Sequence, residues 1–163
     1  MSTMHNPTTI TARPGTPFLE VVREFDAAPA LVFRASTEPD LVVQWLGPRN
    51  RQMRIEEWDA RTGGTYRYVH YTDADEFEAW FRGVFHTVRP DELVVQTFEF
   101  EGAPDEVCIE SMSFEDLGER TRLTTRSVFP SVEARDMAIE MGMNDGIDDS
   151  MDRLAELLES GTL

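Results

Sequence analysis

The side chains of this chain that could do chemistry are tyrosines, histidines and one asparagine set among apolar residues. Tyr66, Tyr68 and His70 alternate along one predicted strand and therefore share one face of it. His86 lies on the next predicted strand, and Asn144 is the uncharged polar residue on the apolar stripe of the last predicted helix. Hydroxyl, imidazole and amide groups can orient a bound molecule, and Tyr or His can also transfer protons. We predict that these residues bind a ligand.

The other candidate ligand-binding residues are apolar rings and thioethers. Alternation along the strands and spacing along the last helix predict that they face the interior: Trp80, Phe98, Phe100, Met112, Phe114, Met137 and Met141. Such side chains can lie against an apolar molecule or can simply fill a core. The sequence leaves both interpretations open for each of them.

Motifs for metal binding and catalysis are missing from the sequence. It has no H-x-x-x-H or C-x-x-C ligand pair, and no glycine loop of the kind that holds phosphates. No nucleophile stands beside a base, and no paired-carboxylate site is evident. We therefore predict no metal, no cofactor and no catalytic residue, and we favour a function without catalysis.

Composition narrows the class of protein. The formal net charge is −16, from 31 acidic and 15 basic residues among 163, so the surface repels nucleic acids and anionic lipids. No apolar run approaches the roughly 20 residues that cross a bilayer. Cys108 is the single cysteine, and residues 1–17 do not resemble a signal peptide. We expect a cytoplasmic protein with no nucleic acid partner and no membrane insertion.

The order of the predicted elements indicates the fold class. Residues 1–17 are expected to be a flexible tail, and residues 18–163 a single domain that begins with a strand at Phe18. Pro29 and Pro39 mark two short helices. Short strands separated by turns then run to Phe129, and one helix is predicted from Ser131 to Ser160. This order predicts an α+β domain in which a curved antiparallel sheet grips a long C-terminal helix, with a cavity between them.

Gly142 and Gly146 lie one turn apart inside that predicted helix. Each glycine costs about 1 kcal/mol against alanine in a helix interior. We expect them to be tolerated because the sheet or a ligand approaches the helix closely there.

Several short motifs occur in an order that resembles one family, the activator of heat-shock-protein-90 ATPase homologues of the START-like (SRPBCC) superfamily. The N-terminal matches are Arg23-Glu24-Phe25-Asp26-Ala27-Ala28-Pro29, Val32-Phe33, Thr37-Glu38-Pro39-Asp40 and Trp45-Leu46-Gly47-Pro48. The later matches are Asp59-Ala60-Arg61-Thr62-Gly63-Gly64, Gly83-Val84-Phe85, Pro90-Asp91-Glu92-Leu93-Val94, and Gly118 with Thr121-Arg122-Leu123-Thr124.

This resemblance implies the START-like, Bet v-type helix-grip fold, with two small helices closing one end of the sheet. Leu46 stands where family members often carry Trp, and Gly146-Ile147 stands where many carry Gly-Trp. Both departures remove aromatic bulk, so the ligand of relatives cannot be transferred. Co-chaperone activity belongs to members with an additional N-terminal domain, and residues 1–17 are expected to be too few to supply one.

Three functions remain open from the sequence. The favoured one is non-catalytic binding of a small hydrophobic or amphipathic ligand, lipid or polyketide-like, in an internal cavity. The first alternative is an enzyme similar to polyketide cyclases or aromatases, with Tyr66, Tyr68, His70 and His86 as candidates for proton transfer. The second is a protein-interaction or chaperone-regulating module that uses the acidic surface, and a homodimer is compatible with each of these functions.

Overall fold

Strands occupy most of the chain between residues 9 and 128 in the computed structural model, which describes residues 6–163. They are β1 (Thr9–Thr11), β2 (Phe18–Phe25), β3 (Gln52–Trp58), β4 (Thr65–Tyr71), β5 (Glu78–Arg89), β6 (Leu93–Phe100), β7 (Cys108–Asp116) and β8 (Thr121–Val128). The helices are α1 (Pro29–Thr37), α2 (Pro39–Val42), α3 (Val132–Glu140) and α4 (Met143–Glu159). The predicted α+β class and element order are confirmed.

These strands form one antiparallel, curved sheet in the order β1-β2-β8-β7-β6-β5-β4-β3. Alternate side chains point to opposite faces, and the apolar ones gather on the concave face, which the helices cover. The pairing shifts between Ile55 and Glu57 on β3, and between Phe85 and Thr87 on β5. Such bulges bend the bulged strand and increase its twist, so they help the sheet to curve around the helices.

Side-chain contacts fix the helices to the concave face of the sheet. The backbones of α3 and α4 approach those of β2 and α1. Arg23 of β2, which is 2% exposed, donates from Nη1 to Asp152 Oδ1 of α4 at 2.6 Å. Ser150 Oγ of α4 accepts from the Gly47 amide at 2.8 Å, after α2. These contacts fix α4 to β2 and to the segment that follows α2.

The predicted single helix from Ser131 to Ser160 is in fact two helices. Its start is right, because Ser131 caps α3 by accepting from the Ala134 amide at 3.0 Å. Gly142, however, has φ +95°, a left-handed conformation that ends α3 and precedes α4. No atom from outside the helix and its chain neighbours lies within 4 Å of the position of a Cβ at Gly142 or Gly146, so the sheet does not approach the helix closely at these glycines, and approach by a ligand stays a prediction.

The predicted N-terminal tail contains a strand. Thr9–Thr11 forms β1 and pairs with β2, with Ile10 opposite Val21. Residues 9–11 are therefore part of the sheet, which corrects the expectation of a loose segment at these positions. Residues 1–5 lie outside the described part of the chain, and the division into tail and single domain otherwise stays a prediction.

Within residues 6–163, no helix combines the length and the apolar character that crossing a membrane requires.

Candidate ligand-binding site

A row of side chains crosses the middle of the concave face. Strand register places Phe85 of β5, Gln96 of β6, Glu110 of β7 and Ser127 of β8 side by side. The row continues to Leu19 of β2, which is 2% exposed. Polar groups thus occupy the centre of a face whose side chains are mostly apolar. We call Gln96, Glu110 and Ser127 the central polar row.

Most of the predicted site residues on the sheet lie on the concave face. Strand register and burial place seven of them there: Tyr66, Tyr68, His70, Phe98, Phe100, Met112 and Phe114. Tyr66, Tyr68 and Phe114 are at most 6% exposed, whereas Phe98 and Met112 are half-buried. The predicted inward direction is right for these residues. Their role in binding a ligand stays a prediction.

The predicted inward direction is wrong for Trp80 and His86. Trp80 pairs with Val69, whose side chain points away from Tyr68, so Trp80 lies on the convex face. There the guanidinium of Arg67 lies 4.0 Å from its ring centroid. His86 is exposed and contacts Thr87 Oγ1 at 2.8 Å. It occupies the bulge of β5, where an extra residue interrupts the alternation on which the prediction depended.

The helix residues among the candidates do not form the expected wall. Met137 and Met141 are 61% and 73% exposed, so both lie on the surface of α3 and at its end rather than in the interior. The break at Gly142 explains the error, because the helical stripe of α4 does not continue the stripe of α3. Asn144 is half-buried, and its Oδ1 is buried without a hydrogen-bond partner.

Gly83 allows Tyr66 to reach the neighbouring strands. A Cβ at Gly83 would lie 2.6 Å from the Tyr66 ring and 2.1 Å from the Thr97 carbonyl oxygen. Because glycine has no side chain, the Tyr66 ring lies across β5 and its hydroxyl donates to Thr97 O at 2.7 Å. This places the phenol 3.5 Å from Gln96 Nε2, at the edge of the central polar row.

Aromatic rings continue from Tyr66 across the concave face. Tyr66 and Tyr68 stack at 6.0 Å between centroids, Tyr68 and Phe81 at 5.2 Å, and Phe81 and Phe98 at 5.2 Å. The Tyr68 hydroxyl forms no hydrogen bond with another described residue, and burial raises its pKa. The Tyr68 hydroxyl is therefore a hydrogen-bonding group that the described residues leave unused among closely packed rings.

His70 packs at one end of these rings. It is 8% exposed, and a Cβ at Gly47 would lie 2.4 Å from its Cε1 atom. Burial lowers the pKa of His70 to about 4, with smaller contributions from Arg153 and Arg51. The ring is therefore neutral at physiological pH and fills the space under Gly47, so it contributes packing rather than charge.

Glu110 is the site residue that the sequence analysis missed. Ser127 Oγ donates to its Oε2 at 3.1 Å, and Gln96 Nε2 donates to its Oε1 at a long 3.4 Å. Burial raises the pKa of the Glu110 carboxyl, and these two hydrogen bonds only partly oppose that effect. Alternation could have found it, because Glu110 shares the face of Met112 and Phe114, both predicted to point inward.

Side chains around Glu110 on the concave face are half-buried rather than fully buried. Gln96, Phe98, Glu110 and Met112 belong to this class although they lie on β6 and β7, which are flanked by other strands on both sides. These side chains border the space between the sheet and the helices. We call this space the central recess.

Two other recesses have volumes of about 310 and 210 Å³ and open at the surface, beside Arg153 of α4 and beside Asn6 and Thr9 respectively. None of the predicted site residues lines either of them.

The donor groups of the central recess do not form a metal centre. In the part of the chain that the structure describes, His, Cys, Asp and Glu side chains form no group of three that could hold a metal ion. Cys108 is buried, and burial raises the pKa of its thiol to about 12, so it is not a thiolate at neutral pH. Weak polar contacts and apolar packing are what this arrangement offers a ligand.

Solved structures share this architecture. The chain is 21% identical to a protein from Rhodobacter sphaeroides, covering 94% of this chain and 99% of the other with a TM-score of 0.84. It is 24% identical to a protein from Arthrobacter aurescens, covering 94% and 92% with a TM-score of 0.86. DynU16, a protein in the dynemicin biosynthetic locus, is 21% identical and aligns over 89% of this chain and 48% of its own, with a TM-score of 0.63. These likenesses establish the fold.

Sequence comparison identifies the family. No curated protein matches the chain. The family model described as "Activator of Hsp90 ATPase homolog 1-like protein" matches residues 26–159, from the end of β2 to the end of α4. The chain has the helix-grip fold of the START-like (SRPBCC) superfamily. It belongs to the family of Activator of Hsp90 ATPase homolog 1-like proteins.

Proposed function

We propose that this protein binds a small apolar or amphipathic molecule in the central recess without catalysing a reaction. The observation that carries the proposal is accessible surface on Phe98, Glu110 and Met112 in the middle of the concave face. A fully packed interior would leave these side chains of central strands without contact with solvent. A recess of mixed ring, thioether and polar character suits a ligand that is mostly apolar and has few polar groups.

Two features support an amphipathic ligand over a purely apolar one. The Tyr68 hydroxyl has no partner among the described residues, and Glu110 has only one hydrogen bond shorter than 3.4 Å. Polar groups inside proteins are usually hydrogen-bonded, and exceptions mark sites where a partner is expected. A ligand with one or two polar groups would satisfy both residues while its apolar part contacts Phe98 and Met112.

The test is a binding survey with delipidated protein. Thermal shift and amide chemical-shift changes would be recorded with fatty acids, sterols and aromatic polyketides. Binding should weaken when Met112→Phe fills the recess, and should persist in Ser113→Phe, where the neighbouring side chain is exposed on the convex face. Absence of any response to all three compound classes would refute the proposal, as would equal responses from the two variants.

A cyclase-like enzyme is a second candidate, and Glu110 is the observation that favours it. A carboxyl group with a raised pKa beside Tyr66 and Tyr68 can act as a general acid. The fold likeness to DynU16, a protein of the dynemicin biosynthetic locus, supports testing biosynthetic substrates, with aromatic polyketones first. Turnover that survives unchanged in Glu110→Gln and Tyr68→Phe would remove both residues from this role.

The compartment is part of the proposal as well. A cytoplasmic location agrees with a single cysteine that is buried and has no partner for an internal disulfide.

A further inference from the structure

We propose that the central recess selects amphipathic molecules with a cationic head group, and that Glu110 is the residue that recognises the cation. This inference rests on the proposed function and specifies its ligand: an organic ammonium group attached to an apolar body. Three independent observations support it, namely the lack of a cation beside Glu110, the rings around it and the charge of the whole chain.

The first observation is that no described residue supplies a positive charge to Glu110. None of the ion pairs among residues 6–163 includes it, and the sequence contains no lysine. Arg23, an arginine on the concave face, is bound to Asp152 of α4 at 2.6 Å. A carboxyl group in such surroundings must either take up a proton or meet a cation from outside. An ammonium group that enters the recess would serve as that cation.

The second observation is the set of aromatic side chains that border the central polar row. Tyr66 approaches Gln96 at 3.5 Å, and Phe98 lies two residues from Gln96 on the same face of β6. Tyr68 stacks between Tyr66 and Phe81. Ring faces attract alkylammonium groups, and the same rings provide apolar contact for a hydrocarbon chain. Rings next to an unpaired carboxyl group therefore match both parts of a cationic amphiphile.

The third observation is the net charge of −16. A strongly negative protein raises the local concentration of cations and disfavours the approach of anions. A fatty acid would be repelled by this negative surface. A neutral alcohol would be neither repelled nor attracted by the charge. On electrostatic grounds we therefore expect affinity to fall in the order ammonium, hydroxyl and carboxylate head group.

The experiment uses three probes with the same hydrocarbon chain: decylamine, decanol and decanoate. Dissociation constants would be measured by calorimetry on the full chain at neutral pH, below the concentrations at which the probes form micelles. We expect decylamine to bind about tenfold more tightly than decanol, and decanoate to bind more weakly than either. This ranking in the unmodified protein requires no variant and therefore does not depend on a substitution being tolerated.

Variants then assign the preference to one residue. Glu110→Gln keeps the shape of the side chain and should weaken decylamine binding about tenfold while changing decanol binding less than about threefold. Glu92→Gln makes the same change of net charge in the exposed turn between β5 and β6, and should leave all three constants unchanged.

The outcomes separate this inference from the proposed function. If decanol or decanoate binds as tightly as decylamine, the cationic preference is wrong while ligand binding stands. If the preference survives in Glu110→Gln, the assignment to Glu110 is wrong. If none of the probes binds and the wider survey is also negative, the proposed function itself fails.

Discussion

Glu99 and Glu110 lie on adjacent central strands but on opposite faces of the sheet, and their surroundings are opposite in character. Glu99 on the convex face is 8% exposed, accepts from Arg82 Nε at 3.0 Å and from the Asp105 amide at 3.0 Å. These contacts lower the pKa of its carboxyl group, with the amide as the larger cause. Glu110 on the concave face has no such cation, and burial raises its pKa.

The comparison shows that acidic residues have different surroundings on the two faces of the sheet. On the convex face, arginines form ion pairs with several acidic residues; Arg67, for example, contacts both Glu101 and Glu56. That arrangement stabilises the sheet in a highly acidic chain. On the concave face, the carboxyl group of Glu110 is surrounded by rings and uncharged polar groups. A poorly satisfied group is costly for folding alone, so the position of Glu110 supports the binding role that we propose for it.

The largest expected effect comes from filling the concave face beside the polar row. Gly83→Val would place side-chain atoms where the Tyr66 ring and the Thr97 carbonyl now lie, because even a Cβ there would be 2.1 Å from Thr97 O. We expect the free energy of unfolding, measured by urea denaturation, to fall by roughly 3 kcal/mol.

Its control is the next residue on the opposite face. Val84 is 45% exposed, and Val84→Ala should change the free energy of unfolding by about 0.5 kcal/mol or less. If the free energy of unfolding fell by similar amounts in the two variants, the concave face would not be more tightly packed than the convex face.

A smaller effect is expected at Glu110 and Glu99. The two residues should make stability depend on pH with opposite signs. The raised pKa of Glu110 means that the native protein holds a proton which the unfolded chain releases, so stability falls as pH rises above the ordinary value of 4.5. Glu110→Gln should therefore stabilise the protein by about 1 kcal/mol at neutral pH, and this gain should vanish below pH 4.5.

Glu99→Gln should behave in the opposite way. Its lowered pKa contributes stability above 4.5 that is lost as pH falls through the lowered value. The variant should therefore be less stable than the natural protein at neutral pH. The loss should be only about 1 kcal/mol, because Arg82 is largely exposed and its ion pair with Glu99 is weakened by solvent. Urea denaturation across a pH series measures both slopes. Slopes of the same sign for the two variants would contradict the contrast between the faces.

Substitutions at Gly146 and Gly142 test the C-terminal helices. No atom lies within 4 Å of a Cβ at Gly146, so Gly146→Ala should stabilise α4 by up to about 1 kcal/mol and leave ligand binding unchanged. Gly142→Ala should instead destabilise, by roughly 1 kcal/mol, because Gly142 has φ +95°. Thermal denaturation gives both values. Destabilisation by Gly146→Ala would mean that the recess is narrower than the half-buried side chains indicate.

The smallest effect at neutral pH concerns His70, which is mostly uncharged there in both the native and the unfolded state. Because burial lowers its pKa to about 4, the native imidazole binds fewer protons than the unfolded one, and stability is lost as pH falls from 6.5 toward 4. Imidazole resonances followed by NMR should show a midpoint near 4 for His70. A midpoint near 6.5 would show that water reaches this end of the aromatic rings.

Local patterns predicted much of the fold and part of the site. The alternation of Tyr66, Tyr68 and His70 placed all three on one face, and the first long strand begins at Phe18 as predicted. The same rule failed at His86, because a bulge adds a residue that no period-two pattern contains. It also placed Trp80 on the wrong face, since an aromatic residue packs equally well under an arginine outside.

The sequence by itself determined which residues are extended, where the turns fall and which side chains share a face, because backbone geometry imposes these features over a few residues. Only the tertiary structure decided that the C-terminal helix breaks at Gly142, that Tyr66 crosses Gly83, and that Glu110 lies on the concave face without an ion pair to a described residue. Those features depend on residues far apart in the chain. The charge state of a carboxyl group follows from what surrounds it in space, and no short stretch of sequence contains that information.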